Sequence, residues 1–228
     1  MSTIKDIIKS NPFLVKTLSF LYTTLGLNHI RVKGEHNVVK TFTPGLFLSR
    51  SKVTIVGKSN RLIFHQGGLS YLRNLKISII GDNNIIEVGS GASCNGLSIC
   101  IEDNNNRIEL GNSFRCGINT ELAAIEGTSI VFGEDCMLSA NITVRTGDSH
   151  SIIDLDGKRI NQSKSVIIGE HTWIGNTVHV FKGAEIGHHC IVAGGGIVTG
   201  KIFPPHSIIG GNPAKVIKEG VDWLPERI

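Results

Sequence analysis

Aliphatic residues recur every six residues over the C-terminal third of the chain, and this period constrains the fold more than any other feature of the sequence. The residues that keep it are Ile168, Ile174, Val180, Ile186, Val192 and Val198. An α-helix cannot keep a six-residue period on one face, whereas a chain that turns a corner after each short strand can. Three six-residue sides close a triangular coil of 18 residues, so the pattern predicts an all-β, parallel solenoid.

The residues upstream of this region repeat with a longer period. Ile86, Ile108 and Ile130 each open an Ile-x-apolar-Gly segment, and successive segments are 22 residues apart. The four additional residues fall in polar corners such as Asp103-Asn104-Asn105-Asn106. Asn and Asp tolerate the left-handed backbone conformations that tight corners require. We therefore expect longer coils upstream than downstream, built on the same inward-facing aliphatic stack.

A solenoid leaves its apolar stack open at both ends, and the sequence offers a cap for each end. Apolar residues recur at helical spacing from Leu14 to Leu25 behind a Ser10-Asn11-Pro12 start signal, which predicts an amphipathic helix. We expect an N-terminal cap at 1–29, the solenoid at 30–218 and a C-terminal tail at 219–228. The helical stretch is too short and too polar to span a bilayer. Contact with a membrane surface is the alternative to its role as a cap.

The composition excludes some partners and points to one compartment. The formal charge is +4, and the chain has no Lys/Arg run of the kind that marks nucleic-acid binders. The five cysteines are odd in number and form no Cys-x-x-Cys pair, and the N-terminus lacks a signal peptide. We interpret the cysteines as reduced core thiols and expect a cytoplasmic protein, with membrane association as the alternative.

The six-residue register breaks once, between Val144 and Ile168, and the interruption at 145–165 contains His150. A loop that leaves a rigid solenoid is where function concentrates. Imidazole ionises near neutral pH, so His150 is the candidate general base. His171 is the next candidate, and Asp148 or Asp154 would orient the base.

Residues 130–218 resemble the hexapeptide-repeat acetyltransferases in unbroken order. The resemblance rests on Trp173-Ile174-Gly175, on the histidine-bearing loop ahead of it and on Gly211-Asn212-Pro213-Ala214-Lys215. It is closest to the branch of galactoside, maltose and nodulation-factor acetyltransferases and capsule or sialic acid O-acetyltransferases. The resemblance implies a left-handed parallel β-helix, a homotrimer with each active site between two subunits, and acetyl transfer from acetyl-CoA to a sugar hydroxyl.

The resemblance also implies roles for individual residues. His150 matches the family's catalytic histidine, and Trp173 is expected to border the thioester, where its indole N–H could stabilise the developing oxyanion. The run Ala193-Gly194-Gly195-Gly196 would let the pantetheine arm approach the backbone, because no Cβ stands in its way. The residues predicted to bind acetyl-CoA are Trp173, Ala193, Gly194, Gly195, Lys201, Asn212, Pro213 and Lys215. The residues predicted to bind the acceptor are Asn141, Arg145 and Asp148.

The expected acceptor is a surface polysaccharide, such as a capsule, sialic acid or lipopolysaccharide unit. N-acetylation of an amino sugar is one alternative, and a non-catalytic solenoid scaffold is another, since stacked coils need no chemistry to be stable. A zinc hydratase of the same superfamily is a third. The His-x4-His ligand pair of those hydratases is missing here, so we expect no metal.

Overall fold

A computed structural model describes residues 11–228, so the expectations for residues 1–10, including Ser10 of the helix start signal, lie outside the described residues. The chain winds into eight coils, and each strand pairs in parallel with the strand three places later in the sequence. The strands of sheet 1 are β1 His29–Lys33, β4 Lys52–Val56, β7 Lys76–Ile80, β10 Leu97–Glu102, β13 Thr120–Ala124, β16 Ile142–Arg145, β19 His179–Val180 and β22 Ile197–Val198.

Sheets 2 and 3 complete the triangular prism. The strands of sheet 2 are β2 Val38–Lys40, β5 Arg61–Phe64, β8 Ile85–Val88, β11 Arg107–Leu110, β14 Ser129–Phe132, β17 Val166–Ile168, β20 Glu185–Ile186 and β23 Ile202–Phe203. The strands of sheet 3 are β3 Leu46–Ser49, β6 Ser70–Arg73, β9 Ser93–Asn95, β12 Arg115–Cys116, β15 Met137–Leu138, β18 Trp173–Ile174, β21 Ile191–Val192, β24 Ser207–Gly211 and the antiparallel β25 Ala214–Glu219. We name the three corners edge 1–2, edge 2–3 and edge 3–1 after the sheets they join.

The register of the strands follows the sequence periods. Ile108 lies opposite Ile86 on one side and Ile130 on the other, as the 22-residue period predicts. Ile168 lies opposite Ile186 in the same sheet, 18 residues further on. The six aliphatic residues of the hexapeptide register are all buried inside the prism. Cys94 and Cys116 lie opposite each other and are also buried, and the side-chain contact with Cys116, followed by burial, raises the pKa of the Cys94 thiol.

Asparagine side chains hold the longer N-terminal coils together along edge 1–2. The amide of Asn60 donates to the side-chain oxygen of Asn37 at 2.9 Å, Asn84 donates in the same way to Asn60 at 2.9 Å, and Asn106 donates to Asn84 at 2.8 Å. The amide of Thr128 extends the series to Asn106 at 3.0 Å. These hydrogen bonds satisfy backbone groups that the corners leave buried.

The N-terminal helix α1, Pro12–Leu25, begins at the N-cap Asn11, whose side chain accepts from the amides of Phe13 and Leu14. It covers the open edge of β3 with its polar residues. The amide of Gly45 donates to Ser19 Oγ at 3.1 Å, and Thr23 Oγ1 donates to the carbonyl of Leu46 at 2.9 Å. The unpaired backbone groups of a strand edge need hydrogen bonds, which explains why hydroxyls face the solenoid. Most apolar residues of the predicted helical pattern are exposed instead, namely Leu14, Leu18, Leu21, Tyr22 and Leu25, as are Phe13 and Phe20.

At the other end, β25 folds back on β24, and the tail that follows it returns to edge 2–3, where Trp223 is buried. The predicted parallel β-helix with an N-terminal helix and a short C-terminal cap is thus confirmed. No helix within residues 11–228 has the length and apolarity needed to cross a membrane.

Candidate active site

The interruption of the repeat is a hairpin-like loop that leaves the prism at edge 1–2, between β16 and β17. The amide of Ile160 donates to the carbonyl of Ile152 at 2.8 Å, and Gly157 takes a left-handed conformation (φ 80°) at the turn. The register break predicted from the sequence is therefore an ordered excursion. The tip exposes four large aliphatic side chains, Ile152, Ile153, Leu155 and Ile160, which are interspersed with charged residues.

Asn161 and Asp148 fix the base of this loop. The Asn161 side-chain amide donates to Asp148 Oδ2 at 2.8 Å and to the carbonyl of His150 at 2.8 Å. Asp148 also accepts from Lys182, and this hydrogen bond, followed by that from Asn161, holds the pKa of Asp148 below its ordinary value. The backbone of His150 is thus positioned while its side chain is exposed. Asp148, predicted to bind the acceptor or orient the base, instead pairs with Lys182, and Asn161 was not singled out from the sequence.

A second anchor ties the far side of the loop to edge 1–2. Arg159 forms an ion pair with Glu126 at 2.7 Å, and Ser163 Oγ donates to the same carboxylate at 2.8 Å. These contacts, the Arg159 hydrogen bond first, lower the pKa of Glu126. The ion pairs of Asp148 with Lys182 and of Arg159 with Glu126 therefore hold the loop in one orientation.

Trp173 lies on β18 in sheet 3, and its side chain is 36 % exposed. Its indole Nε1–H donates to Ser139 Oγ at 3.4 Å, a long hydrogen bond that a substrate oxygen could replace. Trp223 packs beside it, with 6.1 Å between the ring centroids. The tail thus supports Trp173, a contact that the repeat pattern did not indicate.

His150 and Trp173 lie on opposite sides of one chain. The loop leaves the prism at edge 1–2, and sheet 3 is the face opposite that edge in a triangular coil. A single chain therefore does not bring the predicted base to the predicted thioester contact.

The residues predicted to bind acetyl-CoA fall on three parts of the prism. Ala193, Gly194 and Gly195 form the turn between β21 and β22 on edge 3–1, next to the face that carries Trp173. Asn212, Pro213 and Lys215 lie in the β24–β25 hairpin at the C-terminal end. Lys201 lies on edge 1–2, between β22 and β23, on the same edge as the loop.

The glycines of the edge 3–1 turn differ in how much space a Cβ would have at each position. A Cβ at Gly194 would lie 3.2 Å from the carbonyl oxygen of Asn176 in the coil below, so this glycine serves the packing of the coils. Gly195 has φ 73°, and a Cβ there would meet no atom within 4 Å. The open approach to the backbone that was predicted for the whole run is therefore found at Gly195 and not at Gly194.

A cavity of about 350 Å³ lies beside the base of the loop. Arg145 lines it and pairs with Glu121 on the neighbouring strand β13. The other charged residues that line it are all acidic, and they are Glu102, Asp103, Glu121, Glu126 and Asp148. Two of the predicted acceptor residues, Arg145 and Asp148, thus share one cavity, whereas Asn141 lies apart on edge 3–1.

The chain is similar to known proteins over most of its length, although no family model matches it. A polysialic acid O-acetyltransferase of Neisseria meningitidis is 28% identical over 200 residues, which cover 87% of this chain and 91% of that protein. The crystal structure of the polySia specific acetyltransferase NeuO superposes with a TM-score of 0.77 and 26% identity, covering 87% of this chain and 89% of that one. The polysialic acid O-acetyltransferase OatWY gives a TM-score of 0.75 with 25% identity, over 87% of this chain and 92% of that one.

The near-complete coverage by two solved acetyltransferases agrees with the stacked coils of the parallel β-helix. It extends the resemblance beyond residues 130–218 to the N-terminal coils. On these grounds the chain resembles the hexapeptide-repeat acetyltransferases of the left-handed β-helix fold over most of its length.

Proposed function

We propose that the protein transfers the acetyl group of acetyl-CoA to a sugar hydroxyl of a surface polysaccharide, at a site formed between two copies of the chain in a homotrimer. The observation that carries the proposal is the placement of His150 and Trp173. Both side chains are exposed, and they lie on opposite sides of the prism. A neighbouring copy that sets its sheet 3 against edge 1–2 brings the two residues to one groove.

The loop tip supports contact with a second copy. Leu155 is fully exposed at the turn, and Ile152, Ile153 and Ile160 are more than half exposed around it. An ordered loop that presents four large aliphatic side chains to water is typical of a surface that a protein partner covers. The anchors at Asp148 and Glu126 keep this surface in a fixed orientation, so it can dock without large rearrangement.

Direct transfer accounts for the reaction. The neutral imidazole of His150 takes the proton of the acceptor hydroxyl as its oxygen forms a bond to the thioester carbonyl carbon. The C–S bond then breaks, and the thiolate of CoA takes up the proton from the imidazolium. The indole N–H of Trp173, released from Ser139, and backbone amides of the coil are the candidate donors to the oxyanion.

The cofactor would follow the surface beside Trp173. Gly195 on edge 3–1 offers open backbone to the pantetheine arm, and Lys215 in the terminal hairpin offers a cation to the phosphates. Lys201 shares edge 1–2 with the loop, so it would reach the same cofactor from the neighbouring copy. We place the reaction in the cytoplasm, where acetyl-CoA is supplied.

Charge on the N-terminal coils favours an anionic polymer as acceptor. Residues 29–81 contain nine Lys/Arg and one carboxylate, Glu35. Lys52 and Lys76 are direct neighbours on β4 and β7, so like charges are stacked without an intervening carboxylate. Such stacking costs stability unless a partner supplies negative charge. The basic coils begin three strands from β16, where the loop leaves, which is about 14 Å at a strand spacing of about 4.8 Å. A polysaccharide chain can span this distance.

The test is acetyl transfer from acetyl-CoA to polysialic acid, lipopolysaccharide fragments and a neutral glycan, with the products identified by NMR. We expect an O-acetyl ester, which mild base removes, on an anionic glycan. Acetylation only of free amino sugars, as an amide that resists mild base, would contradict the proposal. So would the absence of transfer to every acceptor while CoA binds.

A further inference from the structure

Edge 2–3 of the C-terminal coils carries a column of titratable side chains. Asp135, His171, His189 and His206 occupy the equivalent corner of successive coils, and each has a left-handed backbone with φ between 49° and 57°. The amide of His189 donates to the carbonyl of Glu170, and that of His206 donates to the carbonyl of His188, so the backbone fixes the spacing of the rings. Left-handed corners usually take Gly, Asn or Asp, which makes three histidines in this position unusual.

The tail brings a carboxylate to this column. Asp222 Oδ2 lies 2.9 Å from Nδ1 of His189, and Asp222 Oδ1 lies 3.6 Å from Nε2 of His171. One ligand atom of each of these three residues lies within 4.8 Å of the others. Asp222 is exposed in the tail after the last strand, between Val221, whose amide donates to the carbonyl of His206, and the buried Trp223, so the tail holds it beside the two rings.

A second carboxylate orients the more buried ring. Asp135 Oδ2 lies 2.7 Å from Nδ1 of His171, so Nδ1–H donates to it, while Nε2 lies 3.1 Å from the carbonyl oxygen of Trp223 and 3.6 Å from Asp222 Oδ1. The Trp223 ring stacks on His171 with 4.5 Å between centroids, and its indole N–H donates to the carbonyl of His171 at 2.8 Å. A carboxylate that fixes the tautomer of a histidine is the usual outer partner of a metal-binding imidazole.

We propose that Nε2 of His171, Nδ1 of His189 and the Asp222 carboxylate bind one divalent transition-metal ion of the zinc class. Imidazole nitrogens with a carboxylate oxygen are the ligands that such ions prefer. The ion would replace the hydrogen bond between His189 and Asp222 and the one between Nε2 of His171 and the Trp223 carbonyl. It would fasten the tail to edge 2–3, which holds Trp223 against Trp173. The three ligands come from two coils and the tail. The expectation of no metal rested on the spacing of histidines along the sequence, and a site of this kind has no such local spacing.

The test is isothermal titration of the full chain with ZnCl₂ at pH 7.5, because ligating imidazoles must be neutral. We expect one zinc ion per chain. His189→Asn and Asp222→Asn should each weaken binding by about tenfold or more. Asn accepts the left-handed corner at 189, so folding should be retained. His36→Asn is the matched control, since His36 is also a left-handed corner histidine (φ 58°) but lies on the first coil, and it should leave zinc binding unchanged.

A second measurement covers the case in which a variant folds poorly. Zinc should raise the melting temperature of the wild type and of His36→Asn, and EDTA should reverse the effect, whereas Asp222→Asn should show no shift. The proposal is overturned by a wild type that binds no zinc. It is equally overturned by His36→Asn weakening zinc binding as much as His189→Asn, or by both ligand variants binding like the wild type. None of these readouts uses acetyl transfer, so their failure leaves the proposed function untouched.

Discussion

The N-terminal and C-terminal coils share one inward aliphatic stack but differ at their edges. Up to β14 the coils are 22 to 24 residues long in the sequence, and asparagine side chains bind successive corners to one another. From β18 onward most sheet strands have two residues, and the corners carry histidines, glycines and the tail. This difference indicates that the core requires only the inward register. The residues at the edges can therefore either stabilise the solenoid or take part in catalysis.

The N-terminal coils are themselves divided by charge. The first coils, residues 29–81, are strongly basic, whereas residues 82–135 contain nine carboxylates and two arginines. The loop anchor Glu126 and most of the cavity at the base of the loop belong to this acidic stretch. We interpret the basic coils as the surface for an anionic polymer and the acidic stretch as the support for the loop.

The largest expected effect is on catalysis, which should depend on the loop histidine and not on a histidine of the N-terminal coils. His150→Ala should lower kcat by about 10²-fold to 10⁴-fold, the usual contribution of a general base. The pH dependence of kcat/KM should also differ between the wild type and the variant, because a general base acts in only one protonation state. His65→Ala, at an exposed histidine of the N-terminal coils, should leave both unchanged. Near-normal turnover in His150→Ala would show that another residue is the general base, and His171 is the next candidate to test.

The next largest expected effect is a difference between the two regions in how much a corner asparagine contributes to the free energy of unfolding. Asn84→Ala should lower the free energy of unfolding by about 2 kcal/mol, because it removes a buried side chain that accepts from Asn106 and donates to the carbonyl of Asp103. Asn176→Ala, at an exposed corner of the C-terminal coils, should change it by about 0.5 kcal/mol or less. Denaturant unfolding of both variants measures this, and equal losses would remove the distinction between stabilising and chemical edges.

A smaller effect tests the charge of the N-terminal coils. The double change Lys52→Glu and Lys76→Glu should raise KM for a polyanionic acceptor several-fold at low salt and leave kcat unchanged, because it alters attraction and not chemistry. The difference should shrink as salt is added. Lys218→Glu, an exposed charge on β25, is the control. An unchanged KM in the double variant would show that the acceptor does not use the basic coils.

The smallest expected effect is on the local stability of the loop. Asp148 is partly exposed, so its pair with Lys182 should contribute about 1 kcal/mol or less. Because the pKa of Asp148 is lowered in the folded chain, this contribution is present above the ordinary carboxyl range and is lost as pH falls through the lowered value. At pH 7 the loop amides of Asp148→Asn should exchange hydrogen about fivefold faster or less, and the difference should disappear in acid. Equal exchange rates in the variant and the wild type at pH 7 would indicate that the loop is held by its other anchor, the Arg159–Glu126 ion pair.

The sequence predicted the solenoid because its core depends on a periodic inward register, which Ile168 to Val198 and the 22-residue repeats display directly. The candidate site was only partly predictable. His150 and Trp173 were found from motif position, and their separation on one chain became visible only when the sheets were assigned. Asn161, Trp223 and Asp222 act through contacts with residues distant in sequence or outside the repeat, so no local pattern marked them.

The central claim is that each active site combines the loop of one copy with sheet 3 of another. Its most direct test is complementation between two inactive variants, His150→Ala and Trp173→Ala, mixed under conditions that exchange subunits. If neighbouring copies share the site, a random mixed trimer should recover about a quarter of the wild-type sites, since each needs an intact loop from one copy and an intact Trp173 from the next. If the mixture stays as inactive as its components after exchange is verified, both residues act within one chain and the account is wrong.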